Sequence, residues 1–284
     1  MKISTLSIVC GTEACNAKCP FCVSKMTPPA DLPRDFSLFS VHRNLDKAIQ
    51  FALQSGVSTV LLTGKGEPTL FPTHITKYLE HISNRFPFIE LQTNGIKFED
   101  DGLLDLLGLW YLQGLTTVSL SVVSDDPVKN KSIAGLSDRI PEIVKRLHDN
   151  KLSVRINCTM LKDAVCSTKD VMWLIAWCKN LGVEQLTIRP VAAPEEYKNP
   201  DVFDWVKSHE IPGEEQAEIY AALRRKGTVL LELPHNATIF DVDGQNVCMN
   251  NCLTLPKGDE IRQLIFFPDG HLRYDWAYPG AILL

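Results

Sequence analysis

Positive charge is in short supply. The 284 residues hold 29 Lys and Arg against 34 Asp and Glu, a formal net charge of -5. With a pI near 5.8, no broad basic field draws the chain to nucleic acid or to an anionic membrane. The densest basic run, Arg224-Arg225-Lys226, reads as the solvated end of a helix. Long apolar runs are missing too. The best uncharged stretch, Phe51 to Gly64, is short and interrupted by Gln54, Ser55, Gly56 and Ser58, which argues against a membrane span. The start, MKISTLSIVCGTE, places Lys2 ahead of apolar residues, but Ser and Thr break its core and it stops at Glu13. A first strand fits it better than a signal peptide, so a cytoplasmic location is expected. Repeats, low-complexity segments and long flexible linkers are absent. Cysteine is plentiful, but its count of nine is odd. Without an export signal that argues against a disulfide framework and for reduced thiols.

What is present is an alternation. Short runs rich in Val, Ile, Leu and Thr stand at Thr5–Cys10, Thr59–Thr63, Ile89–Thr93, Thr117–Val122, Ser153–Thr159 and Gln185–Pro190, and they read as strands buried on both faces. Between them lie helical patterns. Leu45, Ala48, Ile49, Ala52 and Leu53 repeat at helical spacing ahead of Gly56, as do Ile75, Tyr78, Leu79 and Ile82, then Ile140, Ile143, Val144 and Leu147. Val171 to Leu181 is apolar almost all round and reads as a buried helix, with Trp173 and Trp177 in the core. About six strand–helix repeats mean parallel strands with right-handed crossovers, in an open doubly wound sheet or a full or partial barrel. In either, ligands sit at the carboxyl ends of the strands. After residue 228 the rhythm changes to strands and turns, with a hairpin signal at Pro268-Asp269-Gly270. The expected division is residues 1–227 and a small β-rich C-terminal extension, 228–284.

Directly after the first strand comes EACNAKCPFC, with Cys15, Cys19 and Cys22 spaced C-x3-C-x2-C. Structural zinc asks for four ligands, usually in two pairs. Three thiolates on a [4Fe–4S] cluster leave one iron open to an exchangeable ligand. Zinc stays as the alternative.

This spacing, with Phe21 before the last cysteine, resembles the signature of the radical S-adenosylmethionine superfamily. The resemblance implies a partial (β/α)6 TIM-type barrel and a [4Fe–4S] cluster on Cys15, Cys19 and Cys22. It also implies S-adenosylmethionine bound to the open iron and cleaved reductively to a 5'-deoxyadenosyl radical. TGKGEP after the second strand is similar to the family's Gly-rich turn, so Gly64, Gly66 and Glu67 are expected at the cofactor's ammonium. Read alone, Glu67 would simply sit near a helix N-terminus. LQTNG resembles the strand end beneath the cofactor, which points to Thr93 and Asn94. VSLSVV places Ser121 at a ribose or carboxylate contact, but Val123 stands where an aspartate is usual. Asn157 and Arg189 lie at the next two strand ends. Arg189 is expected at the cofactor carboxylate, at an acidic substrate or in a structural ion pair. The resemblance covers roughly residues 5 to 190.

Cys248 and Cys252 precede the Pro-Asp-Gly hairpin, as in twitch and SPASM members, but no cysteine follows. A second iron–sulfur cluster, a degenerate pair of buried thiols and a disulfide site are the three readings. Cys10, Cys158, Cys166 and Cys178 read as buried or surface thiols. Trp205 and Trp276 either line a pocket or pack in the core. The leading functional expectation is an enzyme of the molybdenum-cofactor-cyclase-like branch. It would abstract hydrogen from a small metabolite or nucleotide, with an electron donor such as flavodoxin or ferredoxin. A peptide maturase, whose extra domain has no room ahead of Cys15, a glycyl-radical activase and a non-catalytic iron–sulfur or zinc protein are the alternatives.

Overall fold

The computed structural model describes residues 3–27, 39–193, 199–233, 237–250, 261–276, 278 and 280–284. Six parallel strands follow one another in space as in sequence: β1 (Thr5–Val9), β2 (Thr59–Thr63), β3 (Phe88–Thr93), β4 (Thr117–Val122), β5 (Ser153–Met160) and β6 (Gln185–Pro190). The helices are α1 (Val23–Met26), α2 (Phe39–Gln54), α3 (Pro72–Ile82), α4 (Asp101–Leu112), α5 (Pro127–Ala134), α6 (Ile140–Asp149), α7 (Thr168–Asn180), α8 (Pro200–His209) and α9 (Gly213–Lys226). The basic run Arg224–Lys226 closes α9. Among the described residues no helix is long and apolar enough to cross a membrane.

The later residues extend the same sheet at both edges. β7 (Thr228–Leu233), β8 (Ala237–Val242) and β9 (Gln245–Met249) form an antiparallel meander, and β9 lies parallel to β6. The β8–β9 turn places Asp243 and Gly244 at φ 53 and 84, the left-handed pair that a two-residue hairpin needs. β10 (Gln263–Phe266) lies parallel to β1 at the other edge and pairs with β11 (Leu272–Arg273) across the Pro-Asp-Gly turn. Among the described residues the sheet has eleven strands and stays open, in the order β11-β10-β1-β2-β3-β4-β5-β6-β9-β8-β7.

Successive strand residues point to opposite faces, and here the two faces differ in kind. Leu6, Ile8, Val60, Leu62, Ile89, Leu91, Val118, Leu120, Val154, Ile156, Leu186 and Ile188 are fully buried in one core with Leu45, Ile49, Ile75, Leu79, Ile143, Leu147 and Leu174 of the helices. Each such side chain contributes about 1.5–3 kcal/mol of transfer free energy. The opposite, inner face carries Thr59, Glu90, Gln92, Ser119, Ser121, Arg155, Asn157, Thr159, Gln185, Thr187, Arg189 and Cys248. On β5 burial alternates strictly between half-buried and buried. The expected burial on both faces holds along β1, where Leu6, Ser7, Ile8 and Val9 are all buried, and for the inward Glu90, Ser119 and Thr187. On β5 the inward residues are half-buried, and Thr and Ser, which favour strands by shape, make much of this face polar.

α7 also departs from expectation. Its buried stripe is Val171, Leu174, Ile175 and Cys178, while Trp173 is 62% exposed and Trp177 packs at the core's margin. The helix is apolar all round in sequence, but only one side meets the sheet. A capping box opens it, Ser167 Oγ accepting from Asp170 N–H while Asp170 Oδ2 accepts from Ser167 N–H at 3.0 Å.

Candidate active site

The loop from Gly11 to Cys22 leaves the carboxyl end of β1. Gly11 turns the chain at φ +74, and a Cβ there would lie 2.1 Å from the Phe71 ring, so only glycine fits. From the far side α5 holds the loop. Asp126 caps that helix with Pro127 in its first turn, and Gly135 ends it in the left-handed conformation. The freed Ala134 carbonyl accepts from Lys18 N–H at 2.9 Å and from Cys19 Sγ at 3.7 Å. Cys22 is the residue before α1. Cys15 is exposed, Cys19 and Cys22 are half-buried, and all three are free thiols.

These thiols sense one another. Burial, then the neighbouring Cys22 and Cys15, push the Cys19 pKa up to about 12. Partial desolvation raises that of Cys15, with Glu67 and Cys22 adding to it against hydrogen bonds from Ala17 and Asn94. Three thiolates in one loop therefore call for a cationic partner, and this donor set fits an iron–sulfur cluster. Among the described residues no three Cys, His, Asp or Glu side chains converge to hold a single ion. Zinc with sulfurs at about 2.3 Å would draw its thiolates to about 3.8 Å from each other, whereas a cluster seats each on its own iron.

The Gly-x-Gly-Glu-Pro turn lies against this loop. A Cβ on Gly66 would lie 2.1 Å from the Ala14 carbonyl oxygen, and Glu67 N–H donates to that oxygen at 2.9 Å. Lys65 is buried and its Nζ donates to Thr27 Oγ1 at 2.9 Å. Glu67 is 3% exposed and caps the short 3-10 turn Pro68–Leu70. Its Oε1 accepts from Thr69 N–H at 2.9 Å, Thr69 Oγ1 at 2.6 Å and Thr93 Oγ1 at 2.6 Å. Its Oε2 accepts from Asn94 N–H at 2.8 Å. Within the protein Oε1 thus accepts three hydrogen bonds and Oε2 one.

On the inner face the register sets Ser121, Asn157, Thr187 and Cys248 side by side across β4, β5, β6 and β9. Asn157 Oδ1 is buried with no hydrogen-bond partner among the described residues. One row below, Ser119, Arg155, Gln185 and Asn246 are neighbours, and Arg155 pairs with buried Glu90 at 2.7 Å. Arg189 stands opposite Thr159 nearer the carboxyl ends. Burial, and then the charge of Arg189, push the Arg262 pKa down. Burial raises the Cys248 thiol, against the charges of Arg189 and Arg155. Cys252 lies outside the described residues. Val123, at the expected aspartate position, is buried, and its N–H donates to Asn130 Oδ1 at 2.9 Å.

The structure brings the triad together with Gly66, Glu67, Thr93 and Asn94, and sets Ser121, Asn157 and Arg189 on neighbouring strands. Sequence reasoning missed Thr69, Ala134 and Arg155. Trp205 of α8, expected at a pocket or in the core, also stands beside the loop. It stacks on His209 at 3.7 Å and lies 6.0 Å from Phe21 in the cysteine loop. Only Thr69 left a sequence signal, two residues after an acidic cap.

An open, mostly parallel α/β sheet with a three-thiol loop at its first strand end defines a partial-barrel architecture. A family model described as the radical SAM superfamily matches residues 9–165, more than half of the chain, and the chain belongs to that superfamily. Among curated proteins it is similar to GTP 3',8-cyclase of Haemophilus influenzae strain PittGG, 23% identical over 282 residues, covering 89% of this chain and 79% of the relative. It is also similar to GTP 3',8-cyclase of Haemophilus ducreyi, 28% identical over 180 residues, 61% of this chain and 49% of the relative. The chain thus spans about half the length of that relative. Streptococcus suis SuiB bound to S-adenosylmethionine shares the fold at a TM-score of 0.62 and 17% identity, over 98% of this chain and 61% of SuiB. SuiB bound to its precursor peptide SuiA matches at 0.61, with 15% identity and the same coverage.

Proposed function

We propose that the chain uses a [4Fe–4S] cluster on Cys15, Cys19 and Cys22 to cleave S-adenosylmethionine, and acts on a small anionic metabolite or nucleotide. The observation that carries this reading is a thiol triad at the carboxyl end of β1, beside a polar, arginine-bearing inner face. The cluster, when bound, supplies the electron that yields a 5'-deoxyadenosyl radical for hydrogen abstraction. The protein's own part is to hold and orient. Gly64 and Gly66 let the backbone come close to the cofactor, and Phe21, Thr93, Ser121 and Asn157 line its path along the strand ends. Arg189 offers a planar donor fork to a carboxylate or phosphate. Arg189 and Arg155 stand on this face, Arg155 against Glu90, and guanidinium groups beside the strand ends support an anionic substrate. A flavodoxin or ferredoxin would deliver the electron.

A peptide substrate is the second reading. It is favoured by edge strand β7, whose Leu230, Leu231 and Leu233 are exposed beside an unpaired ladder edge that suits strand addition. The test is anaerobic reconstitution, dithionite reduction and chromatography for 5'-deoxyadenosine from S-adenosylmethionine. Formation by wild type and none by Cys19→Ala is expected. No product from fully loaded wild type would leave a non-catalytic iron–sulfur protein, and zinc in place of iron would remove the cluster from the account.

A further inference from the structure

We propose that Asn94 is a positioning residue for the cluster loop, its side-chain amide donating an N–H···S hydrogen bond to Cys15 that sets the reduction potential of a cluster held there. The inference rests on the cluster reading of the triad. Asn94 is 6% exposed. Its Nδ2 lies 3.8 Å from Cys15 Sγ and 2.7 Å from Asn16 Oδ1, so both amide protons face the loop. The amide is not free to reverse. Its Oδ1 accepts from the Ile96 backbone N–H at 3.0 Å, a place only an oxygen fills, and the nitrogen must point at the sulfur.

The backbone beneath it is fixed as firmly. Asn94 N–H donates to Glu67 Oε2, Gly95 N–H donates to Thr93 Oγ1 at 3.1 Å, and Gly95 turns the chain away at φ +80. Glu67 Oε1 holds Thr93 and Thr69. A buried carboxylate is thereby linked through Asn94 to one sulfur of three. Among the described residues neither Cys19 nor Cys22 receives a side-chain amide; the Cys19 sulfur faces a carbonyl instead. An N–H aimed at a ligand thiolate withdraws charge from it and favours the more negative, reduced cluster. Glu67 acts at one remove, by aiming Asn94.

The experiment is a spectroelectrochemical titration of reconstituted protein without S-adenosylmethionine, with iron counted in each sample. Asn94→Asp keeps an oxygen for Ile96 but removes the donor, and Asn94→Ala removes it without adding charge. Both are expected to lower the ratio of reduced to oxidised cluster at fixed potential, by about tenfold for Asn94→Asp, which is 59 mV for a one-electron couple. Asn16→Ala, which removes only the competing acceptor, is expected to leave the ratio at the wild-type value. Fully loaded Asn94 variants with the wild-type ratio would overturn the inference and leave the cluster reading standing. Wild type unable to take up iron would overturn both. If the Asn94 variants do not retain iron, wild type carrying 15N in its asparagine side chains decides: a hyperfine coupling to the reduced cluster is expected, and its absence refutes the bond.

Discussion

The two faces of one sheet have been put to opposite uses. Toward the helices, Leu120, Ile156 and Ile188 are wholly buried and supply the hydrophobic free energy that holds the fold. One residue along each strand, Ser121, Asn157 and Arg189 turn inward among other polar groups. Stability and chemistry are thus separated by a single step in sequence, because strand side chains alternate. A substitution can be silent for one property and severe for the other.

The sharpest way to probe this contrast is a pair of neighbours. Ile156→Ala should cost about 2–5 kcal/mol in denaturant unfolding, the range for large-to-small changes in a packed core. Asn157→Ala should cost less than about 1 kcal/mol, since its buried Oδ1 has no hydrogen-bond partner to lose. Equal losses at the two positions would erase the distinction between the faces. A smaller effect is expected where the inner face does contribute stability. Arg155→Met leaves Glu90, whose side chain is 5% exposed, without its cation. Because Arg155 is 30% exposed, the loss should be nearer 1–2 kcal/mol than the roughly 3–5 of a fully buried pair. Adding Glu90→Gln should restore most of it.

The smallest cost expected from a lost interaction lies away from the sheet. Ser167→Ala should cost about 1 kcal/mol by unmaking the α7 capping box. Burial works to raise the Asp170 pKa, but hydrogen bonds from Ser167 and Cys166 outweigh it and hold the carboxyl below its usual value. A depressed carboxylate stabilises the fold above the unfolded pKa and ceases to do so as pH falls through the folded one. The difference between wild type and Ser167→Ala should therefore narrow in acid, as read from unfolding midpoints across pH 3 to 7.

Much of this architecture was legible in the residues. Hydrophobic runs placed β2, β4 and β6 at their observed bounds and the other three parallel strands to within a residue at either end, because a buried strand needs β-branched and aliphatic side chains whatever its neighbours. The C-x3-C-x2-C loop was legible for a chemical reason, since three thiols in eight residues have few structural uses. Other features could not be read in advance. Strand order and register come from long-range pairing, so no local pattern announced that Asn157, Thr187 and Cys248 share a row. The alternation itself was masked, because Thr and Ser score as strand formers without revealing which face is polar. Glu67 was recognised with its local partner Thr69 within reach, but its partners Thr93 and Asn94 lie 26 and 27 residues away and meet it only when β2 and β3 pair. Residues 228–284 read as one extension, while their strands attach to opposite edges, since a sequence of strands does not say which edge each will join.

The central claim is that the loop after β1 holds a cluster with one iron left for S-adenosylmethionine. Electron paramagnetic resonance of reconstituted, dithionite-reduced protein tests it most directly, recorded with and without S-adenosylmethionine on samples of counted iron and sulfide. The account predicts a [4Fe–4S] signal that changes when S-adenosylmethionine is added and is missing from Cys19→Ala. A signal indifferent to S-adenosylmethionine, or one retained at full intensity by Cys19→Ala, would contradict it.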